Sequence, residues 1–247
     1  MSFYDILLAK KLGSGGGGGD DNYAKLIDGS IVTANIPSGI TKINMHAFYS
    51  CKSLETVVVP NGVSEIGDNA FQACTALENI SLPSGLLTIG ASAFSGCTFL
   101  KGIILPNGLT TIDSKAFYGC SVLESIVLPN SVTTLGTQVF YSCNDLVSIT
   151  LPNGITTIPN NTFTNCKSLL SIDIPSGVTS FGNSAFSNCL SLRSMTVRAT
   201  TPVTIYANGL ANVPADANIY VPAESVEAYK TTSSWRDRAN YIQAIPS

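Results

Sequence analysis

Apolar and polar positions along this chain recur every 23 residues, and the pattern is cleanest over residues 106 to 128, PNGLTTIDSKAFYGCSVLESIVL. Proline stands at 37, 60, 83, 106, 129, 152 and 175, phenylalanine at 48, 71, 94, 117, 140, 163 and 186. Cysteine stands at 51, 74, 97, 120, 143, 166 and 189 and nowhere else. A fixed period of this size marks stacked units that cannot bury their apolar side alone and share one core. Within the unit, Pro106, Asn107 and Gly108 predict a tight turn that ends a strand, because proline has no amide to donate. Leu109 and Ile112 point inward, with Thr110 and Thr111 outward. Residues 114 to 119 predict a short helical or 3₁₀ turn that drives Ala116, Phe117 and Cys120 into the core. Leu123, Ile126 and Leu128 fill the other side, while Ser125 and Val127 alternate with them and face water.

The spacing of Leu123, Ile126 and Leu128 is the L-x-x-L-x-L signature of a leucine-rich repeat. The flanking words are a P-[NS]-G-[VIL]-T-x-I turn, an A-F-x-x-C step and a closing L-x-x-I-x-[LVI]-P. Together they resemble the BspA-type leucine-rich repeat family, surface proteins of host-associated bacteria and some microbial eukaryotes, over residues 36 to 197. Ser131 replaces the turn glycine, Val139 and Thr162 replace the alanine, and Phe181 and Met195 alter the last unit. The expected fold is therefore a β-rich α/β solenoid, a right-handed leucine-rich repeat of seven coils over residues 37 to 197, with caps at 22 to 36 and 198 to 247. The resemblance implies non-catalytic adhesion or binding at a bacterial surface and an extracellular location, and it brings no catalytic residues.

The ends change character. Residues 1 to 12 form a short amphipathic leader with Phe3, Ile6 and Leu7 on one face, suited to an assembly partner. Lys10 and Lys11 follow its apolar run, whereas a secretory signal places charge ahead of a longer one. Residues 13 to 21 are a glycine-rich linker; no Lys-Ser/Thr follows, and Asp20 and Asp21 would repel a phosphate. The leader, the glycine run and the KLIDGSIV entry are similar to the starts of prophage tail-associated proteins of gut bacteria. That likeness implies an alternative role, as a structural or receptor-binding part of a phage tail. At the other end, NIYVPAESVEAYKTTSSW resembles the closing module of BspA-type proteins. It predicts a strand over residues 218 to 221 and a helix from about Glu224, covering the last open coil.

Composition narrows the chemistry. Charged residues are only 12%, about half the usual share, and net charge is −3 with no basic run. Nucleic acid and anionic membrane are thereby poor partners, and no apolar run reaches the length of a membrane span. The cysteines form a column with parallel side-chain vectors, which suits buried free thiols better than disulfides or a convergent zinc site. His46 is the sole histidine and is expected at the surface, so no His-based nucleophile or metal site can be assembled. Glu55, Glu78 and Glu124 recur at one position and read as a solvated row. The threonine columns are interrupted by Lys42, Glu65 and Leu87, against an ice-binding ladder. No enzyme, cofactor or metal is expected.

The outward strand positions remain as the informative surface. One column reads Thr56, Asn79, Gly102, Ser125, Ser148, Ser171, Ser194; the next reads Val58, Ser81, Ile104, Val127, Thr150, Asp173, Thr196. The second places aliphatic side chains where water would be. The candidate binding residues are accordingly Thr56, Val58, Asn79, Ser81, Ile104, Ser125, Val127, Ser148, Thr150 and Asp173. Their partner is expected to be a protein or glycan, held with little dependence on salt.

Overall fold

The structure, a computed structural model, describes residues 32–36 and 38–246. The leader, the glycine linker and most of the segment 22 to 36 lie outside the described residues. The chain winds into a parallel β-solenoid of about nine turns. Two strand ladders and one turn-rich side form the three walls of each coil.

The first ladder is built from the L-x-x-I-x-L segments. Its strands are Thr33–Asn35, Thr56–Val58, Asn79–Ser81, Ser125–Val127, Ser148–Thr150, Ser171–Ile174, Ser194–Val197, Asn218–Val221 and Ile242–Ala244. Pairing is parallel and follows the repeat, so Thr56 faces Asn79 and Ser125 faces Ser148. The second ladder uses two-residue strands, Lys42–Ile43, Glu65–Ile66, Thr88–Ile89, Thr111–Ile112, Thr134–Leu135, Thr157–Ile158, Ser180–Phe181 and Thr204–Ile205. The strand ladder is longer than the seven expected coils. Thr33–Asn35 joins it in register before the first phenylalanine, and Asn218–Val221 and Ile242–Ala244 extend it past the last cysteine. Parallel pairing uses backbone groups, so it needs neither the phenylalanine nor the cysteine column.

The third wall corrects the expected helical turn. Residues 114 to 119, like their counterparts, are turns without helix. In each coil one residue before the alanine takes a left-handed conformation: His46, Asn69, Ser92, Lys115, Gln138, Asn161 and Ser184 have φ between 54° and 61°. A second left-handed residue precedes each cysteine, including Gly96, Gly119, Asn165 and Asn188. The consequence is visible in the amides. Phe48 donates to the Ala70 carbonyl (2.7 Å), Phe94 to Ala116 (2.8 Å) and Phe163 to Ala185 (2.8 Å). A helix would keep those donors within its own coil. Left-handed residues instead turn them toward the next coil, and such backbone persists only where its surroundings over-determine it.

Those surroundings are the core. The seven repeat phenylalanines stack with ring centroids 4.9 to 5.7 Å apart and planes within 16° of parallel. The leucine and isoleucine columns complete a single continuous interior. At the C-terminal end the expected strand and helix are present, as Asn218–Val221 and Val226–Thr231. Tyr229 and Trp235 are fully buried there. The Tyr229 hydroxyl meets the carbonyls of Ala199 (3.0 Å) and Thr201 (3.1 Å), and Trp235 Nε1 donates to Val203 (2.7 Å).

The strand ladders are interrupted. In the second, Gly67, Gly90, Asp113, Gly136 and Gly182 each donate an amide to the preceding coil at 2.8 or 2.9 Å. Pro159 occupies the same position and has no amide to give, so Thr157–Ile158 starts a new sheet. In the first ladder, residues 101–105 form no strand, and Asn79–Ser81 and Ser125–Val127 fall in separate sheets. A further break separates Ser148–Thr150 from Ser171–Ile174.

Candidate interaction surface

The outward strand positions share one face because parallel register at the repeat spacing puts like residues above like. Val58 pairs with Ser81 and Val127 with Thr150. Nine of the ten candidate residues are exposed or nearly so in the way alternation requires, and Thr56 is half-buried. Three aliphatics stand out: Ile104 is 88% exposed, Val127 63% and Val58 49%. The tenth position behaves differently from the rest. Asp173 grips Arg198 through two guanidinium nitrogens, Nε at 2.8 Å and Nη2 at 2.6 Å. That hydrogen bond and charge raise the Arg198 pKa. Asp173 is thus already satisfied, and the strip is less uncharged than its sequence column suggests.

The interruption at residues 101–105 reshapes this face. Isoleucine or valine at the Ile80 position is buried in neighbouring coils, as at Val57, Ile103 and Ile126, and so is the Leu82 position at Val59, Leu105 and Leu128. Ile80 and Leu82 themselves are only half-buried. Between the coils lies a groove of about 380 Å³ lined by Leu82, Ile104, Leu105 and Pro106, with Ser84 and the turn residues Asn107 and Gly108 at its end. Gly102 sits in the interrupted segment. A side chain there would meet no atom within 4 Å, and its φ is not left-handed. Neither packing nor turn geometry inside the chain calls for a glycine at this position.

Other residues singled out by sequence fall into place. His46 is half-buried, not fully exposed, in a left-handed turn with its ring edge-on to Tyr49 at 5.4 Å. Glu55, Glu78 and Glu124 are exposed along the strand entry. The cysteines are unbridged, and all but Cys51 are buried. They are more than small apolar fillers. Each thiol from Cys97 to Cys189 donates at 3.2 Å to the carbonyl of the phenylalanine in the preceding coil, as Cys120 does to Phe94. Burial raises their pKa values, to about 12 for Cys120 and Cys189. Burial likewise pushes the Tyr229 phenol to about 12 and lowers Arg238, whose guanidinium donates to the Pro214 and Val213 carbonyls. Among the described residues, no group of three or more His, Cys, Asp and Glu is placed to hold a metal, and no helix is long and apolar enough to cross a membrane.

Sequence reasoning missed the groove and the thiol bonds. The signal for the first was available in Lys101-Gly102, the only glycine in its column. Thiol donation had no separate signal, because burial alone explains the column equally well.

The sequence profile described as BspA type leucine rich repeat region, in six copies, matches residues 27–146 and 88–213. Among solved structures, a leucine-rich repeat protein of T. pallidum is similar at 34% identity and a TM-score of 0.61, over 66% of this chain and 78% of that one. A leucine-rich repeat protein of Bacteroides ovatus is similar at 25% identity and a TM-score of 0.60, over 77% of this chain and 63% of that one. A third, from Eubacterium ventriosum, has 21% identity and a TM-score of 0.51 over 85% of this chain and shares the fold. No curated protein matches the chain.

Proposed function

The chain belongs to the BspA-type leucine-rich repeat family, and from that premise we propose that it is a non-catalytic binding module that holds a protein or glycan partner at a bacterial surface. The observation that carries this reading is the exposure of Val58, Ile104 and Val127 on a strand face whose other candidate positions are polar. Aliphatics gathered on one exposed face mark an interaction site, as singly scattered ones do not. Repetition along the solenoid suits an extended or multivalent partner, which gains from effective concentration more than from one strong contact.

The test is a double variant, Ile104→Asp with Val127→Asp, assayed for binding to intact cells and to a glycan panel. Both side chains are exposed, so the fold should be kept while binding is lost. Asn61→Asp with Asn153→Asp serves as the control on the exposed turns. Asn107 is unsuitable there because it borders the groove. Equal binding by the two variants would remove the strand face from consideration. Attention could not then pass to Tyr229 or Trp235, which are buried in the C-terminal segment.

A further inference from the structure

Asparagine is followed by glycine four times in the chain, at Asn61, Asn107, Asn153 and Asn208. All four pairs stand in turns, but the fold holds them differently. Asn61-Gly62, Asn107-Gly108 and Asn153-Gly154 occupy the turn that follows the first strand ladder, and both residues of each pair are exposed. Among the described residues, their carboxamides make no hydrogen bond, and the amides of Gly62, Gly108 and Gly154 donate to no acceptor. A Cβ added at Gly108 would meet nothing closer than 3.6 Å, and one at Gly154 nothing closer than 3.5 Å, so these turns have room to rearrange.

Asn208-Gly209 is held. Gly209 is buried, and its amide donates to the Tyr206 carbonyl at 2.9 Å. A Cβ there would lie 2.5 Å from Ile205 Cγ2, and Asn208 itself is fixed in a left-handed conformation at φ 59°. Asn130-Ser131, in the coil between two of the open turns, is held as well. Asn130 Oδ1 accepts the Asn153 amide at 3.1 Å, and Ser131 Oγ donates to the Leu109 carbonyl at 2.6 Å.

An unbonded main-chain amide beside a free carboxamide is a reacting pair. On losing its proton, the glycine nitrogen attacks asparagine Cγ, a C–N bond forms, and the carboxamide nitrogen leaves as ammonia. Water then opens the five-membered imide at either carbonyl, giving aspartate or its β-linked isomer. Water and hydroxide are the only co-reactants, and nothing is oxidised or reduced. Glycine suits the closure because it has no Cβ to obstruct the backbone rotation. An amide already bonded to a carbonyl must first give up that bond.

We infer that Asn61, Asn107 and Asn153 are sites of spontaneous deamidation in the folded protein, and that the fold protects Asn208 and Asn130. Parallel stacking puts the three on one edge of the solenoid, each two coils from the next, or about 10 Å. The screening length of physiological salt is about 8 Å, so conversion at one site leaves the rates at the others unchanged. Complete conversion adds three carboxylates and doubles the formal net charge of −3. Asn107 borders the groove, and its conversion brings a negative charge to that end of the strand face. None of this depends on which partner the chain binds.

The test incubates the full chain in mildly alkaline buffer made with heavy-oxygen water and maps its peptides by mass spectrometry. Asn61, Asn107 and Asn153 should each convert at least about tenfold faster than Asn208 and Asn130, taking up heavy oxygen and yielding both isomers. In concentrated urea, Asn208 should convert as fast as the other three, because the bond that protects it is gone. Gly154→Ala should slow Asn153 by about tenfold or more and leave Asn61 and Asn107 unchanged. Conversion of Asn208 in the folded chain at the rate of Asn153 would overturn the inference. So would open turns that stay intact in the folded chain while converting in urea. Should Gly154→Ala misfold, the rates of Asn153 and Asn208 within the parent chain decide the matter alone.

Discussion

The turn-rich wall and the strand wall of this solenoid are made by the same repeat, yet only one of them is continuous. On the turn-rich wall, amides from residue 46 to residue 188 reach the next coil without a missing step, and the phenylalanines behind them stack throughout. On the strand wall, pairing stops at residues 101–105 and again after Thr150. The difference lies in what each wall asks of its residues. The turn-rich wall relies on large buried side chains that cannot be exchanged without a cavity. The strand wall buries its own leucine, isoleucine and valine columns, but its backbone pairing stops at residues 101–105 and after Thr150 while the coils stay in place. The turn-rich wall is thereby bonded coil to coil throughout, whereas the strand wall has coils held without strand pairing.

The largest expected effect tests the wall that does not vary. Phe117→Ala should cost about 3–5 kcal/mol in chemical denaturation, because it opens a cavity in the middle of the stack. Ile104→Asp on the strand wall should stay within about 0.5 kcal/mol, being a surface change. Comparable losses would break the comparison. Next comes Tyr229→Phe, which leaves the buried Ala199 carbonyl without its hydroxyl donor and should cost about 1–3 kcal/mol.

Alkaline titration probes the thiols of the turn-rich wall. Their folded pKa values lie above the ordinary value near 9, at about 12 for Cys120 and Cys189. The stability linked to these groups is therefore complete below pH 9 and is lost as pH rises toward 12, where only the unfolded chain releases the protons readily. Melting temperature should be flat up to pH 9 and fall above it. A fall beginning well below pH 9 would mean that the thiols are not buried as described. The smallest effect belongs to Pro159→Ala. A restored amide gains about 0.5–1.5 kcal/mol as a ladder bond. The loss of proline's restraint on the unfolded chain costs about 0.4–1 kcal/mol. The net change should be close to zero, and a loss of several kcal/mol would show that Pro159 supports the coil in some other way.

Much of this architecture is written in the residues. The inward roles of Leu123, Ile126, Phe117 and Cys120 and the outward roles of Ser125 and Val127 follow from spacing, because burial and alternation both act at the level of single positions. The turn conformation does not follow. His46, Ser92, Lys115 and Gln138 share no chemistry that announces a left-handed backbone, which is imposed by bonds to the next coil. Asn165 and Asn188 carried a partial hint, since asparagine tolerates that conformation. Their side chains also link coil to coil, Asn188 Nδ2 to Asn165 Oδ1 at 2.8 Å. Among the candidate site residues, the columns placed Val58, Ile104 and Val127 on one face correctly. They could not foretell that Arg198 would occupy Asp173, a contact between positions in different columns, or that a groove would lie between Leu82 and Ile104.

Native-state hydrogen exchange tests the contrast between the two walls most directly. Amides of Phe71, Phe94, Phe117 and Phe140, each bonded to the next coil, should exchange only with global unfolding. Those of Gly102, Ile103, Ile104 and Leu105, which make no backbone hydrogen bond to another coil, should exchange orders of magnitude faster. Protection of residues 102–105 equal to that of Phe94 in the free protein would contradict the account, since it would mean that the strand wall is as closed as the turn-rich one.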